Sequence, residues 1–211
     1  MKAKLLLLSL VAGSTFALPA HSQKRYENDF EQAEPGKLPD GFLVIDGAFA
    51  VREERGNKFL ELPGAPLDTY SVLFGPPAKE NVSVTARVFG SSKGRRYPTF
   101  AVGLNGASGY RLQVSPGKGA LELFQGDEAK ASAPFEWQSG QWTWLRLQVT
   151  RIKDGPWRIT GKGWAEGTTE PASWAITFEA AAEPRSGRAA IIGSPFAGTP
   201  IRFDDLKVEQ R

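Results

Sequence analysis

Residues 142–149 read WTWLRLQV, and the rhythm of that stretch decides the fold. Leu145, Leu147 and Val149 fall on one side of an extended chain, while Trp144, Arg146 and Gln148 fall on the other. An apolar period of two, in a run this short, predicts a strand with one face turned to a core. Residues 82–89, VSVTARVF, repeat the pattern with Val82, Val84, Ala86 and Val88 on the apolar side. Further out, FAVGL (100–104), GYRLQV (109–114) and ALELF (120–124) do the same, and RAAIIG (188–193) and IRFDDLKV (201–208) close the set. The segments between them carry turn chemistry: NGASG (105–109), SPGKG (115–119) and KDGPW (153–157) predict hairpins. Outside the first residues, no stretch keeps a helical period beyond two turns. Many short antiparallel strands at this spacing predict an all-β fold, a two-sheet antiparallel jelly-roll sandwich.

The chain begins differently. Lys2 and Lys4 precede an apolar run from Leu5 to Val11, and Ala20-His21-Ser22 offers small residues at the positions a signal peptidase reads. The run is far short of the roughly 20 residues a membrane span needs, so membrane insertion is not expected. Residues 1–22 are therefore read as a cleaved signal peptide, and 23–211 as a single exported domain, periplasmic or extracellular. With no cysteine in the sequence, a lipid anchor is excluded.

Removal of the leader changes the chemistry that remains. Without Lys2 and Lys4 the 26 basic residues fall to 24, against 23 acidic ones, so no nucleic-acid partner is implied. His21 is the sole histidine and leaves with the leader. Nucleophile systems built on His or Cys are thereby excluded, and zinc, copper and iron sites lose their usual ligands. Oxygen donors remain, which favour calcium or magnesium, together with Asp, Glu, Lys, Tyr and Arg for proton transfer. A domain of this length buries on the order of 70% of its unfolded surface and needs no disulfide to stand.

The segments YENDFE (26–31), PDGFLVIDGAFAV (39–51), SGYRLQV (108–114), GQWTWLRLQVT (140–150), GKGWAEGTTEPASWAITF (161–178) and IRFDDLKV (201–208) resemble bacterial domains of the concanavalin A-like lectin/glucanase superfamily. They are close to its laminin-G-like and keto-disaccharide-hydrolase-type jelly rolls. The resemblance runs from about Tyr26 to Val208. It implies the sandwich fold and a poly- or oligosaccharide partner, in a superfamily that contains lectins, hydrolases, lyases and inert modules. The motifs of the enzyme branches are not matched. No E-x-D-x-E strand is present, no histidine supplies a Q-x-H strand, and NGASGYRL (105–112) has Arg111 where a Gly-Tyr-Glu strand would carry its acid.

Two candidate sites follow. The doublet Asp204–Asp205 breaks the alternation of the last strand, since Phe203, Leu206 and Val208 all read as core residues; a β-bulge at the doublet reconciles them. Such a doublet often lies beside the first strand in jelly rolls. Asp29, Glu31, Asp204 and Asp205 would then offer hard oxygen ligands to a structural calcium ion. The alternative has Asp204 in solvent and Asp205 capping a turn.

The second candidate is a face. The residues between the apolar ones include Arg87, Arg111, Gln113, Glu122, Trp144, Arg146 and Gln148. On one concave sheet they would bind carbohydrate, guanidinium groups forking onto the anions of an acidic polysaccharide and Trp144 stacking on a sugar ring. The alternative is an ordinary solvated sheet. Three functions stay open: a non-catalytic lectin-like domain, a glycoside hydrolase or lyase using Glu122 and Tyr110, and an envelope module without a small ligand. Trp142, Trp164 and Trp174 are expected at the core or its edges, Trp137 and Trp157 in exposed stretches.

Overall fold

Apolar side chains at every second position need a second layer to cover them, and the chain supplies it by forming two antiparallel sheets. The computed structural model describes residues 24–211. The segment read as a leader, with His21, lies outside the described residues. In chain order the strands are β1 (Lys24–Asn28), β2 (Leu43–Asp46), β3 (Ala50–Glu54), β4 (Asn57–Leu62), β5 (Tyr70–Ala78), β6 (Val82–Phe89), β7 (Thr99–Leu104) and β8 (Tyr110–Ser115). They continue with β9 (Ala120–Gln125), β10 (Glu128–Pro134), β11 (Trp142–Arg151), β12 (Trp157–Ala165), β13 (Ile176–Ala180), β14 (Gly187–Ser194) and β15 (Ile201–Gln210). Among the described residues the only helical piece is a short 3-10 turn, Pro116–Lys118. No helix there is long and apolar enough to cross a membrane.

One sheet has eight strands, in the order β13-β12-β11-β6-β15-β4-β3, with β1 pairing the second half of β15. The other has seven, in the order β10-β9-β8-β7-β14-β5-β2. The hairpins expected at 105–109, 115–119 and 153–157 join β7 to β8, β8 to β9 and β11 to β12. Between the sheets, Val84, Ala86, Val88, Leu145, Leu147 and Val149 from one layer meet Val102, Leu104, Leu112, Val114, Leu121 and Leu123 from the other, and all are fully buried. The layers meet tightly at Gly161 of β12, where an added Cβ would lie 2.5 Å from Leu112 of β8.

The bulge at the aspartate doublet is present. β15 pairs Asp204 with Arg87 of β6 and then Lys207 with Thr85, so one residue of β15 goes unmatched. Asp205 takes up the surplus at φ 49°, a left-handed conformation that Asp tolerates better than most residues. Phe203, Leu206 and Val208 thus all reach the core. Beside them β1 pairs Tyr26 with Val208 and Asn28 with Leu206, so YENDFE does lie against the doublet. Two of the tryptophans depart from expectation. Trp157 is buried, its Nε1–H donating to Glu80 Oε2 at 2.6 Å. Trp137 packs on Phe100 at 6.1 Å between ring centres. Apolar contact outweighs the turn-rich context of both.

Candidate functional site

The outward residues of the eight-stranded sheet form cross-strand rows. The register aligns Trp164, Trp144, Arg87 and Asp204 across β12, β11, β6 and β15. The next row is Lys162, Arg146, Thr85, Lys207 and Glu27, ending on β1. The third is Thr160, Gln148, Ser83, Glu209 and Arg25. Five neighbouring strands span about 19 Å. Over this floor lies a cleft of about 620 Å³ lined by Trp144, Trp164, Arg146 and the side chains of β15 that follow the bulge. Glu27, Asn28 and Asp29 line its β1 side, and Glu170 its β12 side. A smaller recess of about 100 Å³ shares Arg146 and Glu209 with the cleft and reaches Ser83 and Gln148.

The β12 wall is pinned from below. Lys162 is only 8% exposed, and its Nζ donates to Pro171 O at 2.6 Å and lies 2.8 Å from Glu170 Oε1. The same ammonium sits 4.7 Å above the Trp174 ring. Residues 166–175 are thereby fastened to the sheet. Glu170 also meets Arg146 Nη1 at 3.2 Å. Burial works to raise the Glu170 carboxyl, but Lys162 and Arg146 outweigh it and hold its pKa below the ordinary range. On the floor, the Trp144 and Trp164 rings are nearly parallel, 9° apart with centres at 6.0 Å, and Trp144 Nε1–H donates to Glu166.

At the bulge end one guanidinium serves three carboxylates. Arg87 Nη2 donates to Asp204 Oδ2 at 2.7 Å, Nε lies 2.6 Å from Asp205 Oδ2, and Nη1 lies 3.5 Å from Glu166 Oε1. Asn57 donates to the same Asp204 oxygen at 3.0 Å, and the Arg87 guanidinium stacks over Trp142 at 4.7 Å. Asp204 is 1% exposed, so it is the buried member of the doublet, while Asp205 faces the cleft. This reverses the alternative in which Asp204 met solvent. Burial pushes both carboxyls above the usual aspartate range; Arg87 opposes this in each, and Asp29 and Glu166 push Asp205 further up.

The calcium expectation needs correcting. Asp29 Oδ1 accepts from the Glu31 N–H at 3.2 Å, and Glu31 Oε1 accepts from the Lys58 N–H at 2.9 Å. Glu31 is thus spent on β4, and the buried Asp204 on Arg87 and Asn57, so of the four only Asp29 and Asp205 line the cleft. Among the described residues no group of three or more acidic side chains is placed to hold a metal ion. The positive charge beside the doublet is the single guanidinium of Arg87, which Glu166 also shares. These residues do not fit calcium.

The expected binding face also divides. Arg87, Trp144, Arg146 and Gln148 do share the outer side of the eight-stranded sheet. Arg111, Gln113 and Glu122 stand on β8 and β9, hence on the outer side of the other sheet. There Arg111 lies 4.5 Å over Phe124, Gln113 donates to Ser115 Oγ at 2.9 Å, and Glu122 pairs with Lys118 at 2.9 Å. The three arginines expected to recognise an acidic polysaccharide therefore do not act together. Glu122 and Tyr110 cannot act together either, since Tyr110 points into the core from the opposite face of that sheet. The cleft residues the sequence reading missed include Glu27, Trp164, Glu170, Lys207 and Glu209, and it also missed Lys162 and Glu166, which support Glu170, Arg87 and Trp144 from beside the cleft. Lys162 and Trp164 take the outer side of β12 because Gly161 and Gly163 between them face inward, whereas Trp164 was expected at the core or its edges. Glu166 and Glu170 lie where no alternation runs.

Neither a family model nor a curated protein sequence matches the chain. Solved structures do. A carbohydrate binding module, CBM66 from Bacillus subtilis, aligns at 10% identity and TM-score 0.55 over 79% of this chain and 94% of its own. The fold is that of the concanavalin A-like lectins and glucanases. The exoplasmic/lumenal domain of VIP36, in its Ca2+/Man3GlcNAc-bound form, aligns at 10% identity and TM-score 0.53, over 81% of this chain and 84% of that one. The apo Crh5 transglycosylase aligns at 11% identity and TM-score 0.59, over 88% and 84%. At these identities the concanavalin A-like likeness is one of architecture, and lectin-type and enzyme members share it equally.

Proposed function

We propose that this chain is an exported, non-catalytic carbohydrate-binding domain whose ligand lies in the cleft on the outer face of the eight-stranded sheet. The observation that carries the reading is the floor of that cleft, where the Trp144–Trp164 pair lies beside Arg146 and a group of carboxylates. An indole face covers the C–H side of a sugar ring, and the carboxylates and guanidinium bond its hydroxyls, which is how concave sites fix the orientation of a polar ligand. The support from likeness is secondary: a carbohydrate binding module and a glycan-bound lumenal domain share the fold. Export rests on the leader-like residues 1–22.

The test is affinity electrophoresis through gels containing a panel of soluble polysaccharides. At least one should retard the protein, and Trp144→Ala should remove the retardation, while Arg111→Ala, on the opposite sheet, should leave it in place. Retardation by no glycan, or retardation that survives Trp144→Ala, rejects the cleft as a glycan site. Release of reducing ends or unsaturated products from any member of the panel rejects the non-catalytic part of the reading.

A further inference from the structure

The charge inside the cleft differs from the charge of the chain. The sequence as a whole carries 26 basic and 23 acidic residues. The cleft lining carries five carboxylates, Glu27, Asp29, Glu170, Asp205 and Glu209, against two cations, Arg146 and Lys207. Both cations are already engaged. Arg146 reaches Glu170 at 3.2 Å and Glu209 at 3.5 Å, and Lys207 reaches Glu27 at 3.0 Å. An anionic ligand would have to displace an internal carboxylate to reach either of them. A cationic ligand has no such obstacle. Among the described residues Asp29 has no ion-pair partner, and Asp205 has only Arg87, which is divided among Asp205, Asp204 and Glu166.

We propose that the cleft selects a glycan bearing free amines, an amino sugar without its acyl group, whose ammonium docks between Asp29 and Asp205 while a neighbouring ring lies on Trp144. The inference rests on the glycan-binding reading above and adds to it the class of ligand. An ammonium offers three donors, which two carboxylates and a hydroxyl satisfy. A calcium ion needs six to eight oxygens, and this corner does not offer them. The left-handed turn at Asp205 is what places its carboxylate at the cleft, because the unmatched residue of the bulge escapes the strand's alternation.

The experiment is isothermal titration with β-1,4-linked oligomers of equal length built from glucose, glucosamine, N-acetylglucosamine and a uronic acid. The glucosamine oligomer should bind about tenfold more tightly than the glucose and N-acetylglucosamine oligomers, the scale of one charge-assisted hydrogen-bonded contact. The margin should shrink as salt is added, because part of it is coulombic. The uronate should bind most weakly. In the doubly substituted Asp29→Asn, Asp205→Asn protein, the ratio of glucosamine to glucose affinity should fall to near unity; Asn tolerates the left-handed conformation at 205, so the bulge is kept. Arg111→Ala should preserve the ratio. Equal binding of neutral and amine-bearing oligomers overturns this inference and leaves the glycan-binding reading standing, as does tightest binding of the uronate. Binding of none of the four overturns it as well, and the polysaccharide panel then decides whether the broader reading falls with it.

Discussion

The two outer faces of the sandwich are built from the same kind of alternating strand and differ in almost everything else. On the seven-stranded sheet the cross-strand row through Arg111 runs Phe124, Arg111, Gly103, Ala190, Leu73 and Leu43. The adjacent row runs Glu122, Gln113, Ala101, Ile192, Ser71 and Asp46. The middle of that face is small or aliphatic, and Glu122 and Arg111 settle locally on Lys118 and Phe124. On the eight-stranded sheet, charged and aromatic side chains continue across five strands, and residues 166–175 and 27–29 border them as walls. A period of two supplies every strand with an outward set. What makes one set a site is chain that stands up at its margins and charge that is shared across strands rather than closed within neighbours.

The largest test of that contrast is structural. Arg87 is the common partner of a fully buried carboxylate and two others, so Arg87→Ala leaves Asp204 charged, buried and short of a partner. Removing one member of a buried pair costs about 3–5 kcal/mol. Arg111→Ala, on the other face, forfeits chiefly a stacked contact with Phe124, worth about 0.5–1 kcal/mol at a partly exposed site. Urea unfolding of both variants gives the comparison directly. Equal losses would mean that charge on the eight-stranded face is as locally settled as on its opposite.

Much of this was readable from residues 82–89, 100–104, 110–114, 121–123 and 145–149, whose apolar alternates are all buried as expected. The bulge was readable too, because Phe203, Leu206 and Val208 cannot share a face without one. Sheet membership was not readable. Alternation says which side chains point in and which point out, and says nothing about which strands are neighbours; β11 pairs with β6, not with the hairpins that lie between them in the chain. Arg111 and Arg146 therefore looked equivalent in sequence and stand on opposite sides of the molecule. The Glu170 wall escaped notice for another reason. Its position depends on Lys162, a lysine that is buried against the usual habit of its type because a carboxylate, a carbonyl and an indole all receive it.

A smaller effect separates the faces by sign. Burial raises the Asp204 carboxyl, against the pull of Asn57, Arg87 and the Asp205 N–H. A carboxyl raised in the folded state binds its proton more tightly folded than unfolded, so its contribution to stability grows as pH falls through the raised value and is lost above it. Glu122 has the opposite balance: burial works upward, but Ser115 and Lys118 outweigh it and hold the carboxyl below its ordinary range. Its contribution is present at neutral pH and is lost as pH falls through the depressed value. Denaturation of Asp204→Asn and Glu122→Gln beside wild type, from neutral pH into the carboxylate range, should give stability differences of opposite slope. The wild-type advantage over Asp204→Asn should move in favour of wild type on acidification, and that over Glu122→Gln should diminish. Parallel slopes would erase the distinction drawn between a shared and a local charge.

The smallest expected effect is a shift of zero. If Arg87 supplies the positive charge that the aspartate doublet needs, a chelator has nothing to remove, and the melting temperature should be the same in chelator and in excess calcium. A ligand that binds only the folded state raises stability in proportion to the logarithm of its concentration over Kd, so even a weak structural site would register at millimolar calcium. A melt that rises with calcium in wild type, and no longer does in Asp29→Asn, would place an ion where the geometry has a guanidinium. It would also remove the open negative corner on which amine selection depends. A flat melt in both leaves Asp29 without a cation and Asp205 with only its share of Arg87, as the ammonium-binding argument requires.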